Sequence, residues 1–189
     1  MKEVGTHAIK TERLLLRRFV ESDIKPYYDN YGCDQAVQEY IAWFDCKTLD
    51  DTENFVHEHL KKYDDPYFFG WVIEYEGEVI GSIGCFNVNP FLSCCEIGYS
   101  IGSRWWNKGI VSEGAKAVVD YMFKEVGVHR IYASYTKENV ASGRVMEKIG
   151  MKYEGTAIDG IMLEDGYHDL VYYAIINSQI GRASCRERV

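Results

Sequence analysis

The stretch Trp105-Trp106-Asn107-Lys108-Gly109-Ile110-Val111-Ser112-Glu113-Gly114 carries a polar glycine turn straight into an amphipathic helix, a combination able to cradle phosphate. Apolar side chains at Val111, Ala115, Val118, Val119, Met122 and Phe123 keep the spacing of one buried helical face, with Lys116, Asp120 and Lys124 on the other. The first turn of such a helix leaves about four N–H groups without intrahelical partners at the positive end of the helix dipole, so a diphosphate can accept their bonds. Gly109 would let the backbone approach that ligand closely. The same pattern also fits an ordinary turn with a glycine before a helix. Other reactive side chains are scattered. His7, His57, His59, His129 and His168 form no spaced pair with a serine or cysteine that suggests a hydrolase. Cys33, Cys46, Cys85, Cys94, Cys95 and Cys185 include no C-x-x-C pair and no histidines at zinc spacing, so reduced thiols and no metal are expected.

Three further elements must position that turn. Residues 95–102 alternate as a strand, with Cys95, Ile97, Tyr99 and Ile101 on one side and Glu96, Gly98 and Ser100 on the other. Gly98 inside it predicts a bulge or a close backbone approach. Residues 130–136 read as a second strand. Asn139-Val140-Ala141-Ser142-Gly143-Arg144-Val145-Met146-Glu147-Lys148-Ile149-Gly150 reads as a short helix capped by Asn139 and stopped by Gly150.

In this order, Glu96-Ile97-Gly98-Tyr99, then Trp106-Asn107-Lys108-Gly109-Ile110-Val111-Ser112-Glu113, then Asn139-Val140-Ala141-Ser142 with Val145-Met146-Glu147-Lys148-Ile149-Gly150, the chain resembles the GNAT superfamily of acetyl-CoA-dependent N-acetyltransferases. Within it the chain is similar to the branch typified by ribosomal-protein alanine N-acetyltransferases (RimJ/RimL-like), over roughly residues 11–177. The superfamily usually has Gly or Ala at the position of Val111 and often Gln or Arg at Trp106. The Val111 side chain would therefore either crowd the pyrophosphate or point into the core.

The resemblance implies direct transfer from acetyl-CoA to an amine in a ternary complex, without a metal. The pantetheine arm would pair like an added strand along the backbone of Ile97, Tyr99 and Ile101, in a splay between this strand and residues 130–136. A backbone N–H near Tyr99 or Ile101 would polarise the thioester. The pyrophosphate would lie on Trp106-Asn107-Lys108-Gly109-Ile110-Val111. Asn139 would cap its helix and bond the pantetheine amide, with Ser142 close to the sulfur.

Amide formation from a thioester needs an acceptor for the amine proton, a donor to the carbonyl oxygen and a proton for the leaving thiolate. Glu96 is the first candidate base; the alternative is a strand-end carboxylate exposed to water or paired with an arginine. The tyrosine that many members carry after the Asn cap would fall near Met146 and is absent. Ser142 can serve as the acid instead, or be a first-turn hydroxyl bonding the backbone. Lys108 either stands over the pyrophosphate or is a solvated turn lysine. Trp105 is expected against the substrate wall and Trp106 under the turn. The further carboxylate of some relatives falls at Ile161, beside Asp159 and Glu164, so no role is carried over.

A chain of 189 residues can bury one full core, and 47% apolar with 26% charged residues is the mix of a soluble globular protein. A net charge of −8 argues against a nonspecific nucleic-acid binder and suits a cationic amine. No signal-peptide pattern or membrane-length apolar run is visible, so a cytoplasmic monomer or homodimer is expected. Residues 180–189 lack hydrophobic period and resemble translated adapter read-through. Without their three arginines and one glutamate, 18 basic and 28 acidic side chains leave −10. Residues 1–177 are thus expected to form a single domain, with 178–189 a non-native tail.

The rest supplies an α+β frame, its sheet mostly antiparallel except where the helix after Gly109 crosses to a parallel neighbour. Residues 11–19 read as a strand, in which Thr11-Glu12-Arg13-Leu14 resembles the family's opening, and Ser22 as an N-cap. Residues 30–43 are irregular and aromatic, matching one wall of the family's acceptor site. Asp50 or Asp51 can start a helix. Residues 67–75 and 78–88 flank Glu76-Gly77 as a two-residue hairpin. Residues 151–156 and 169–177 form a last strand pair across a long loop through Asp165-Gly166. The acceptor is expected to be a protein N-terminal α-amine, with a small polyamine or aminoglycoside-like amine as the alternative. A non-catalytic acyl-CoA-binding module on the same fold is the rival from another class.

Overall fold

Among the described residues eight segments pair into one sheet, most of them burying at least part of an alternating apolar set. A computed structural model describes residues 1–38, 46–163 and 165–178. The end of the expected acceptor wall, Glu164 and nearly all of the expected tail, with Cys185, lie outside the described residues. The strands are β1 (Ile9–Lys10), β2 (Leu14–Arg17), β3 (Phe69–Tyr75), β4 (Glu78–Asn89), β5 (Cys94–Ile101), β6 (Arg130–Thr136), β7 (Lys152–Leu163) and β8 (Gly166–Ile176). Their order is β1-β2-β3-β4-β5-β6-β8-β7, antiparallel throughout except for β5 beside β6. The helices are α1 (Ile24–Tyr27), α2 (Gln35–Gln38), α3 (Leu49–Lys62), α4 (Ile110–Tyr121) and α5 (Val140–Lys148), and α4 is the crossover that makes the parallel pair.

The two sheet faces bury different chemistry. Against α4 and α5 lies a mainly aliphatic core that includes Leu16, Ile73, Ile97, Val118, Met122 and Met146. Against α1 and α3 lies a smaller, aromatic one, with Phe19, Tyr27, Tyr31 and Tyr63 around Val56 and Val72. Full burial of such a side chain contributes ~1.5–3 kcal/mol relative to exposure. Along α4 and the helical turn that continues it over Met122–Val126, the expected Val118, Val119 and Met122 are buried, whereas Val111 and Phe123 only flank the core.

Several boundaries differ from expectation for identifiable reasons. The strand expected at 11–19 is only Leu14–Arg17, and a short β1 pairs with it. Ser22 caps nothing. Asp23, drawn inside by two bonds from Arg17 (2.7 and 2.9 Å), reaches back to accept from the Val20 N–H at 2.9 Å and closes the turn itself. Glu74 completes the cluster by accepting from Arg17 Nε at 2.8 Å. The α3 cap is Thr48, earlier than Asp50, in a reciprocal box with Asp51. The Glu76-Gly77 turn is as expected, both residues left-handed.

The largest difference is the last strand pair. β7 and β8 run as a continuous arm to the Leu163↔Gly166 pair, with register shifts at Tyr153/Gly155 and Ala157/Ile161, in place of the expected long loop. Most of β7 is exposed, so no core face imposes an apolar alternation that sequence could reveal.

Candidate active site

The parallel pairing of β5 with β6 covers only Cys94↔Arg130, Cys95↔Ile131 and Glu96↔Tyr132. Beyond Glu96, β5 stays with β4 as far as Ile101, while β6 stays with β8 as far as Thr136. The β5 edge from Ile97 to Ile101 therefore faces a wedge with no ladder partner among the described residues, which is the expected splay. Gly98, on that stretch, lies under the Phe86 ring, where a Cβ would come within 2.6 Å of Cε1. The strand itself is regular there; the β4–β5 shift falls at Phe86/Asn89. Gly98 thus marks a close approach and not a bulge.

The turn after β5 is shaped by two left-handed residues, Asn107 (φ 61°) and Gly109 (φ 74°), types that tolerate this conformation at low cost. Gly109 precedes α4, and its carbonyl accepts the Glu113 N–H at 3.1 Å. Ile110 is buried, leaving only its backbone for a ligand, and Val111 packs against the core, which is the second of its two expected placements. Trp105 enters the α4-side core, with the Arg104 guanidinium over its ring at 4.5 Å. Trp106 is 39% exposed and donates its indole N–H to the Ile101 carbonyl at 2.9 Å. Of the expected tryptophan placements, Trp106 is thus not tucked under the turn but half exposed, because Trp105 takes the buried position. The Lys108 side chain is exposed, while its carbonyl accepts from Arg13 Nη1 at 3.0 Å.

Spacing along the chain does not single out Arg13. From the β1–β2 turn its Nε donates to Glu113 Oε2 at 2.7 Å, and its N–H and the Thr11 hydroxyl donate to Oε1 at 3.0 and 2.6 Å. Burial opposes the Glu113 charge, but these bonds outweigh it and hold the carboxyl below its usual range.

At α5, the Asn139 side chain accepts the Ser142 N–H at 3.2 Å, the expected cap. The Ser142 carbonyl accepts from the Tyr99 hydroxyl at 3.3 Å, and no hydrogen bond engages the serine hydroxyl among the described residues. Burial, with Tyr135 nearby, pushes the Tyr99 hydroxyl well above its ordinary range, so it stays a protonated donor at neutral pH. Tyr173 fixes the other end of α5 by donating to Glu147 at 3.2 Å.

On the opposite face, Glu96 accepts from Asn87 Nδ2 at 3.0 Å and from the Ser134 hydroxyl at 3.1 Å. It pairs with no arginine among the described residues, so neutral donors orient a carboxylate that keeps lone pairs for water. Asn87 (φ 50°) reaches Glu96 from the β4 irregularity, a placement with no sequence signal. Glu96 and Ser134 share the α1–α3 face, whereas Tyr99 and Ser142 lie on the α4–α5 side, so the splay connects base and acid candidates across the sheet. The histidines lie elsewhere: His59 among aromatic rings, His168 between Glu138 and Asp165. Among the described residues no group of side chains could hold a metal, and no helix is long and apolar enough to cross a membrane.

Comparisons with known proteins agree with this geometry. Residues 13–152 match the acetyltransferase (GNAT) domain family. The chain is 36% identical over 174 residues to the uncharacterized N-acetyltransferase YnaD of Bacillus subtilis, covering 90% of this chain and 98% of that protein. It is 34% identical over 110 residues to the [ribosomal protein uS5]-alanine N-acetyltransferase of Escherichia coli, 58% of this chain and 57% of that one. A GNAT-family acetyltransferase structure from Bacillus anthracis superposes with a TM-score of 0.80 at 35% identity, covering 90% and 99% of the two chains. The chain belongs to the GNAT acetyltransferase family, on its RimJ/RimL-like branch, and is an N-acetyltransferase.

Proposed function

We propose that this N-acetyltransferase moves the acetyl group of acetyl-CoA directly to a primary amine, and that the amine is a protein N-terminus. The observation that carries this reading is the broken β5–β6 ladder, open from Ile97 onward, with Glu96 on one side and Ser142 on the other. The residues present fit the co-substrate: an unpaired strand edge suits the pantetheine amides, and a left-handed turn leading into α4 suits a diphosphate.

Bound there, the co-substrate supplies an acetyl group already activated as a thioester. The Tyr99 or Ile101 N–H orients the carbonyl oxygen. Glu96, held by Asn87 and Ser134, takes the amine proton through a water. The Ser142 hydroxyl, without a hydrogen bond among the described residues, gives a proton to the departing sulfur and recovers one from water, while Asn139 fixes the start of α5 and offers its side-chain amide to the arm. An α-amine with a pKa of about 8 needs less help from such a base than a lysine at about 10.4, which favours the N-terminal acceptor. The relative from Escherichia coli is named for alanine on ribosomal protein uS5, in line with that class.

The test is thiol release from acetyl-CoA across N-terminal alanine and serine peptides, a lysine peptide, spermidine and an aminoglycoside. Release with the α-amine peptides alone is expected. Turnover only with spermidine or the aminoglycoside replaces the acceptor, and CoA binding without release for any amine indicates a non-catalytic acyl-CoA-binding module.

A further inference from the structure

We infer that Arg13 is a positioning residue for the diphosphate: it aims the Gly109 N–H and neutralises Glu113 at the helix end that receives phosphate. This rests on the acetyl-CoA reading above. The Lys108–Gly109 peptide is planar and trans, so its C=O and N–H point in opposite directions. Arg13 Nη1 holds the Lys108 carbonyl at 3.0 Å, which turns the Gly109 N–H away from the guanidinium. No partner receives that N–H among the described residues, leaving it available to a ligand.

The second part is electrostatic. Glu113 sits in the first turn of α4, where a carboxylate favours the helix but repels an arriving diphosphate. Arg13 Nε at 2.7 Å cancels that charge, and Thr11 together with the Arg13 N–H occupies the remaining oxygen. Two bonds inside the β1–β2 turn hold Arg13 in place. The Thr11 N–H donates to the Leu14 carbonyl at 3.0 Å, and the Leu14 N–H donates to the Thr11 hydroxyl at 2.9 Å. Arg13 thus acts on the phosphate end of the site through Lys108 and Glu113.

The test is a pair of NMR titrations of the full chain, one with CoA and one with pantetheine, which lacks the diphosphate. Arg13→Gln is expected to weaken CoA about tenfold and leave pantetheine affinity within about twofold. Arg13→Lys, which keeps the charge but cannot grip carboxylate and carbonyl together, should fall between and serves if the glutamine variant does not fold. Adding Glu113→Gln to Arg13→Gln should recover part of the CoA affinity. Unchanged CoA affinity in the Arg13 variants overturns the inference. So does an equal loss for both ligands, the mark of a loosened fold. A parental chain that binds no CoA overturns the acetyl-CoA reading, and this one with it.

Discussion

The two faces of the sheet solve different problems with different materials. On the α4–α5 face, the proposed cofactor cleft is mostly backbone: an unpaired strand edge, a left-handed turn and helix starts, supported by an aliphatic core. On the α1–α3 face, the proposed acceptor side is made of side chains, Glu96 held by Asn87 and Ser134, beside an aromatic core. Backbone recognition needs a particular chain geometry, which glycine spacing and caps impose locally. Side-chain recognition needs residues from separate strands to converge, which only the sheet register accomplishes.

Variants aimed at each face should separate these roles. Glu96→Gln is expected to lower kcat by ~10²–10⁴ and flatten the acid limb of the pH–rate profile, with CoA affinity unchanged by calorimetry. A parental pH profile removes Glu96 from the mechanism and breaks the division of labour. Gly109→Val forces a β-branched residue to φ 74° and should weaken CoA by ~tenfold or more. Equal affinity discards the cradle.

Two smaller effects concern the aromatic side. Thr48→Ala removes the α3 capping box and should cost ~1 kcal/mol in chemical denaturation, with CoA affinity retained. His59 is packed against Phe55 and Phe19, and burial holds its pKa below 6.5 even though its ring nitrogen bonds the Phe55 carbonyl. The neutral ring is the folded form. As pH falls through 6.5 the unfolded chain takes up a proton that the folded one resists, so stability drops on acidification. Thermal melts between pH 7 and 5 should show that slope shallower in His59→Phe, and an identical slope in the variant assigns the acid sensitivity elsewhere.

The acetyltransferase fold is legible because its motifs are local. The alternation through Ile97, Tyr99 and Ile101, the turn at Gly109 and the Asn139 cap each follow from neighbours a few residues apart, and each lies where its local pattern places it. Elsewhere local patterns mislead. Ser22 has the look of a cap, but Arg17, itself held by Glu74 from β3, draws Asp23 into that role. The distal part of the β7–β8 arm, between residues 156 and 169, reads as a loop because that mostly exposed end of the hairpin has no buried face to write a period into its residues.

The sequence by itself determined the order of the central elements from β5 to α5, the Gly109 turn, the Asn139 cap and the family, since these depend on backbone preference and on period along the chain. Only the tertiary structure decided where β5 and β6 part, which donors hold Glu96, and that Arg13 meets Lys108 and Glu113. Those contacts join residues far apart in the chain, and their geometry is set by strand register and helix docking, which no local pattern specifies.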